Sequence, residues 1–192
     1  MKKSILITIL SLTVFSSCNF KGPLSISNAE DLVEIQDIIN ENFDGESDVY
    51  FLTLSGSKLS SDISSINRKY DFKEITFSDV YFVSDNKFTD PKQTTTPFGT
   101  KALLKIKAID VSIIPEKYNE ALDILAQKKL LVADKSFPLS RWTFETDSEG
   151  HVCSNFTINY YINSTSQGRS KTTTYGSYRF KVDSNNTVTF IK

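Results

Sequence analysis

Leu32, Ile35, Ile38, Ile39 and Phe43 fall on one stripe at helical spacing and predict an amphipathic helix. Ser27-Asn28-Ala29-Glu30 has the order of a capping box at its start. Glu30 and Asp31 suit the positive end of its dipole, and Gly45 offers a stop. Val49 to Leu54 is apolar on both faces, as in a strand central in a sheet. Leu59, Ile63, Ile66 and Tyr70 return to helical spacing and predict a second, Ser-rich helix. Phe72 to Val83 predicts a long strand with Ile75, Phe77, Tyr81 and Val83 on one side. Asn86 to Thr100 has neither period and contains Pro91, Pro97 and Gly99; a loop of that length in a compact domain is usually functional or mobile. Ala102 to Ile109 predicts a strand with Ala102, Leu104, Ile106 and Ala108 facing in.

Beyond Pro115, placed to open a helix, Tyr118, Ala121, Leu122, Leu125 and Ala126 form an apolar stripe that ends near Lys128 and Lys129. Four β-rich runs follow, Arg141–Thr146, His151–Ile162, Lys171–Val182 and Thr187–Ile191, separated by short polar turns. Their alternation puts Trp142, Phe144, Val152, Phe156, Ile158, Tyr160 and Ile162 on a dry face. Asn155, Thr157, Asn159, Tyr175, Arg179 and Lys181 go to a wet one. One dry and one wet face predict an α+β fold, with helices packed on one face of a curved, mainly antiparallel sheet that ends in a four-stranded meander. A helix followed by such a meander resembles the cystatin-like and nuclear-transport-factor-like folds, and the tandem helix-plus-sheet units of periplasmic inhibitor proteins.

Charge narrows the partners. The formal net charge is -1 over 192 residues. It becomes -3 if Lys2 and Lys3 leave with a leader, 20 basic side chains then facing 23 acidic ones. That balance has no electrostatic footprint for nucleic acid, and no basic run marks an anionic lipid surface.

The amino terminus supplies an address. Met1-Lys2-Lys3 is a positive start, and Ser4 to Phe15 is an apolar run of about a dozen residues, where a membrane-spanning helix needs about 20. Phe15-Ser16-Ser17-Cys18 resembles the lipobox of bacterial lipoproteins, with Phe15 where that family most often has Leu. The resemblance implies cleavage before Cys18, a diacylglycerol thioether on Cys18 and often an acylated new terminus. Two or three acyl chains hold a protein stably at a bilayer. The expected organisation is a signal peptide over 1–17, a lipidated tether over 18–27 and one globular domain over 28–192, divisible at 28–109 and 110–192. With Cys18 lipidated, no second cysteine is left to form a disulfide with Cys153, so the domain is expected to stand without one. The expected location is the cell or outer membrane, periplasm-facing.

Candidate chemistry is sparse. His151 and Cys153 sit two apart on one strand, where side chains diverge in parallel and do not face each other as a nucleophile and its base must. Asp44, Glu46 and Asp48 alternate as at the start of a calcium loop, but Val49 and Ser55 stand where that loop needs Gly and Glu. No phosphate loop, zinc pattern or hydrolase motif is present, so no cofactor, metal or catalytic residue is expected. What remains is surface. Tyr161, Tyr175, Arg179 and Lys181 on the wet face mix aromatic and cationic groups as recognition surfaces do. The expectation is a non-catalytic binding module for a protein or another envelope component. An inhibitor or immunity-type protein is the alternative, and a small enzyme the least favoured.

Overall fold

The computed structural model describes residues 22–96, 102–168 and 170–191. Its elements are α1 (Ala29–Asn42), β1 (Asp48–Val49), β2 (Phe51–Gly56), β3 (Ile63–Phe72), β4 (Ile75–Phe82), β5 (Lys87–Phe88), β6 (Lys92–Gln93) and β7 (Leu104–Lys105). They continue with α2 (Ile114–Gln127), β8 (Leu139–Thr146), β9 (Val152–Gln167), β10 (Ser170–Val182) and β11 (Val188–Phe190). The main sheet runs β11-β10-β9-β8-β2-β3-β4-β5, with β6 also on β4, and every pairing is antiparallel. Strands β1 and β7 form a separate pair. The fold is α+β with two helices against a large antiparallel sheet, and the carboxy-terminal meander is present as expected.

The register places one row of apolar side chains across the whole sheet. Phe88, Tyr81, Ile66, Leu54, Trp142, Phe156, Phe180 and Phe190 are successive cross-strand partners from β5 to β11. Their rings stack: Trp142 on Phe156 at 4.5 Å and Phe156 on Phe180 at 5.1 Å, both close to parallel. Such pairs add about 0.5–1.5 kcal/mol each beyond their buried area. Leu32, Ile35 and Ile39 from α1, with Ala121 and Leu125 from α2, belong to the same core. The carboxyl end of α1 brings Phe43 against Tyr81 and Phe88. At the other edge, Lys128 after α2 lies over the Phe190 ring.

A second row on the same face contains a charged pair. Asp79, Arg68, Leu52, Phe144, Ser154, Val182 and Val188 are cross-strand partners. The Arg68 guanidinium grips the Asp79 carboxylate with both Nε and Nη2, at 2.8 and 2.9 Å. It also lies 4.6–5.4 Å from the centres of the Tyr70, Phe43 and Phe88 rings.

That pair explains the largest departure from expectation. Leu59 to Tyr70 is not a helix: Ile63–Phe72 is strand β3. The position between Ile66 and Tyr70 on the inner face belongs to Arg68, so the alternation is hidden by a charged residue that Asp79 neutralises. Other expectations shift locally. The Val49–Leu54 strand breaks at Tyr50 between the two sheets, and the long strand over Phe72–Val83 begins only at Ile75, after a turn with positive φ at Lys73 and Glu74. Ala102 to Ile109 pairs only over Leu104–Lys105 and then turns as a 3-10 helix, leaving Ala102 and Ala108 exposed. The Asn86–Thr100 stretch contains β5 and β6, while 97–101 lie outside the described residues. The cap of α1 is Asn28, one residue later than the capping-box reading, and its side chain accepts from the Glu30 N–H. Leu24–Ile26, expected within the tether, is part of the core: Ile26 donates to Ser61 O, Ile63 donates to Leu24 O, and both apolar side chains are buried. On β9, Phe156 and Ile158 are buried as expected, whereas Val152 is 37% exposed and Asn159 is buried.

Tyr118 links α2 to the segment before β8, its hydroxyl donating to Phe137 O at 2.6 Å. Burial pushes its phenol above the ordinary value. The protonated form is therefore favoured in the fold. That contribution is whole below the unfolded value of about 10 and is lost as pH rises through the folded one. Chemical denaturation between about pH 9 and pH 12 should show a smaller alkaline loss in Tyr118→Phe than in wild type. An equal loss in both would remove Tyr118 from the account.

Candidate functional site

The two helices cover one face of the sheet; a trough lies on the other. The outward residues again form cross-strand rows. Ser65, Ser55, Arg141, Thr157 and Arg179 make one row from β3 to β10. Asn67, Thr53, Thr143, Asn155 and Lys181 make the next. On β9 and β10 the rows continue with Asn159 beside Ser177, then Tyr161 beside Tyr175. Hydroxyls and amides bind one another along the way: Thr53 to Thr143 at 2.9 Å, and Asn67 Nδ2 to Ser55 Oγ at 2.9 Å.

Two hollows share Ser55 and Arg141. One, of about 410 Å³, is lined by Phe51, Thr53, Asn67 and Thr143 as well. The other, of about 490 Å³, extends over β9 and β10 to Arg179. A register shift between Leu139 and Arg141 turns Ser140 into the second hollow, where its hydroxyl donates to Thr157 O at 3.2 Å. Its lining holds three cations, Lys58, Arg141 and Arg179, and no carboxylate. From Gly150 to Val182 the sequence has no Asp or Glu at all, so the positive character of the β9–β10 hairpin stands inside an acidic chain.

Some cations elsewhere are matched. Lys105 and Lys107 pair with Asp48 and Glu46 at 3.1 and 2.7 Å, and Lys117 pairs with Glu116 and Glu120 at 2.9 and 2.6 Å. The Asp44–Glu46–Asp48 stretch is thus a turn: Asp44 accepts from Glu46 N–H and Ser47 Oγ, and the other two carboxylates face lysines. Tight hydrogen bonds from Thr76 and Tyr50 likewise hold the Asp71 carboxyl below its usual range.

The four residues singled out by alternation share this outward face. Tyr161 and Tyr175 meet edge to face at 6.4 Å, Arg179 lines the trough, and Lys181 stands one pleat further along β10, beside Asn155. Lys58, Arg141 and Asn159 join them, and the sequence reading did not single these out. Asn159 faces outward, as the alternation of β9 predicts, but it is buried rather than exposed. It is only 7% exposed, and its carboxamide has no hydrogen-bond partner among the described residues. His151 and Cys153 do not form a pair. His151 lies on the turn before β9 with its Nδ1 3.6 Å from both Asp147 and Glu149, while Cys153 is buried in the strand. Among the described residues no group of three metal-ligating side chains converges, and no helix is long and apolar enough to cross a membrane. Cys18 lies outside the described residues.

No family model and no curated protein matches this sequence. A crystal structure of a candidate lipoprotein from Clostridium difficile 630 is similar at a TM-score of 0.38 and 11% identity, covering 86% of this chain and 91% of that one.

Proposed function

We propose that this chain is a lipid-anchored protein of the cell envelope that acts by binding an envelope component or protein, not by catalysis. The observation that carries the binding reading is the outward face of the sheet, where Tyr161, Tyr175, Arg179 and Lys181 stand together beside a trough of unmatched cations. Aromatic and guanidinium groups of this kind dominate recognition surfaces. The anchor rests on Phe15-Ser16-Ser17-Cys18. With Leu24 already in the core, the six peptide units from Cys18 reach at most about 20 Å, so lipidation holds the domain close to the bilayer, on its periplasmic side.

Cys18→Ser should release the protein from the membrane fraction and end incorporation of labelled palmitate. A variant that remains membrane-bound after a high-salt wash would defeat the anchor. It would leave the binding face untouched.

A further inference from the structure

We infer that the trough binds an acidic saccharide, a hydroxyl-rich chain carrying carboxylate or phosphate groups. This deepens the binding-module reading and rests on it, but is independent of the lipid anchor. Four features of the lining define the ligand.

The first is charge without a counter-charge. Arg141 and Arg179 occupy the same cross-strand row, with Thr157 between them, and neither has an ion-pair partner among the described residues. Adjacent strands lie about 4.8 Å apart, so the two backbones are separated by roughly 10 Å across β9. Two guanidinium forks at that separation suit anionic oxygens, which they bind bidentately. Lys58 adds a third cation from the loop after β2. The second feature is Asn159. Its carboxamide has no protein partner among the described residues and its polar atoms reach the surface of the trough, so its donors and acceptor are open to a bound group. It opens into the same trough.

The third feature is the absence of large apolar side chains from the hollow over β9 and β10. A groove for an acidic peptide needs pockets for alternate side chains; here the lining between the cations is Ser, Thr, Asn and Gly. Hydroxyl and amide groups complement a ligand that presents hydroxyls. The fourth is the Tyr161–Tyr175 pair, in the row next to Asn159 and Ser177 and thus about 7 Å further along the strands. It offers a ring face at the rim of the trough. With the adjoining hollow over β2 and β3, the trough crosses five strands, roughly 19 Å. That is long enough for an oligomer lying across the strands.

The test uses the full chain in detergent micelles, with titration calorimetry against two acidic saccharides: an oligogalacturonate for carboxylate and a phosphorylated mannan oligosaccharide for phosphate. Neutral maltohexaose, poly-glutamate and single-stranded DNA serve as comparisons. One acidic saccharide should bind more tightly than all three comparisons, and which one it is identifies the anionic group. Arg141→Gln and Arg179→Gln should each weaken that binding by about tenfold and together by about a hundredfold. Both side chains are exposed, so thermal melts should match wild type. Lys92→Gln, on β6 near the opposite edge of the sheet, should bind as wild type does. The inference is overturned if neither saccharide binds, if poly-glutamate or DNA binds as tightly, or if the double variant keeps its affinity. Recovery of a shortened saccharide would instead overturn the non-catalytic reading and leave the ligand class standing.

Discussion

Replacing Arg68 by alanine is expected to destabilise the fold by about 3–5 kcal/mol, among the largest losses available from a single residue. The side chain is 18% exposed and its partner Asp79 only 3%. Removing the guanidinium leaves the nearly buried Asp79 carboxylate, two residues from Tyr81 on β4, without its counter-charge. It also removes the cation resting between the Phe43, Tyr70 and Phe88 rings. Urea unfolding followed by the emission of Trp142, the one tryptophan, measures the loss. The paired replacement Arg68→Met with Asp79→Leu should recover most of it, because matched apolar groups avoid the desolvation that the ion pair must offset. A loss below about 1 kcal/mol in Arg68→Ala would mean that Asp79 finds water or another donor, and that the pair is not what holds β3 to β4.

Trp142→Ala should cost a comparable amount, about 3–5 kcal/mol, for a different reason. The indole is fully buried at the middle of the row that crosses the sheet, stacked on Phe156 and paired with Leu54. Alanine opens a cavity where both halves of the sheet meet. Trp142→Phe is the informative contrast. The indole Nε1–H is buried with no acceptor among the described residues, and an unsatisfied donor costs about 1–3 kcal/mol. Phenylalanine loses part of the packing but removes that donor, so its net effect should stay within about 1 kcal/mol. Circular dichroism in urea reads both variants. If Trp142→Phe proves as damaging as Trp142→Ala, the donor has a partner, and packing at this site is stricter than the stack alone implies.

Elements were legible in the sequence where one period ran without interruption. Leu32, Ile35 and Ile39 mark α1, Ala121 and Leu125 mark α2, and alternation from Trp142 onward gives the strands of the meander. Legibility failed where tertiary pairing changed the identity of a face. Arg68 occupies an inward position that only Asp79, from the next strand, makes tolerable. Ala102 to Ile109 alternates like a strand, yet only Leu104 and Lys105 find a partner, the short β1. The candidate site divides in the same way. Tyr161, Tyr175, Arg179 and Lys181 belong to one hairpin, so alternation alone puts them on a common face. Lys58 and Arg141 reach the trough through the alignment of β2 with β8 and β8 with β9, and nothing local encodes those registers. The burial of Asn159 follows from the segment before β8, where Pro138 O accepts its backbone N–H.

The pairing of β2 with β8 also has a consequence in time. Thr53 and Thr143 are hydrogen-bonded neighbours 90 residues apart, so the strand at the centre of the sheet waits for a partner from late in the chain. Until β8 arrives, β2 is an open edge with Leu52 and Leu54 uncovered, and Ile66 and Tyr81 close only part of the core. Contacts between distant residues are slow to form, because the intervening loop must be closed before they stabilise anything. The amino-terminal half therefore cannot lock early. If the chain is exported before it folds, as the proposed lipid anchor requires, this delay would keep the polypeptide extended until β8 has followed.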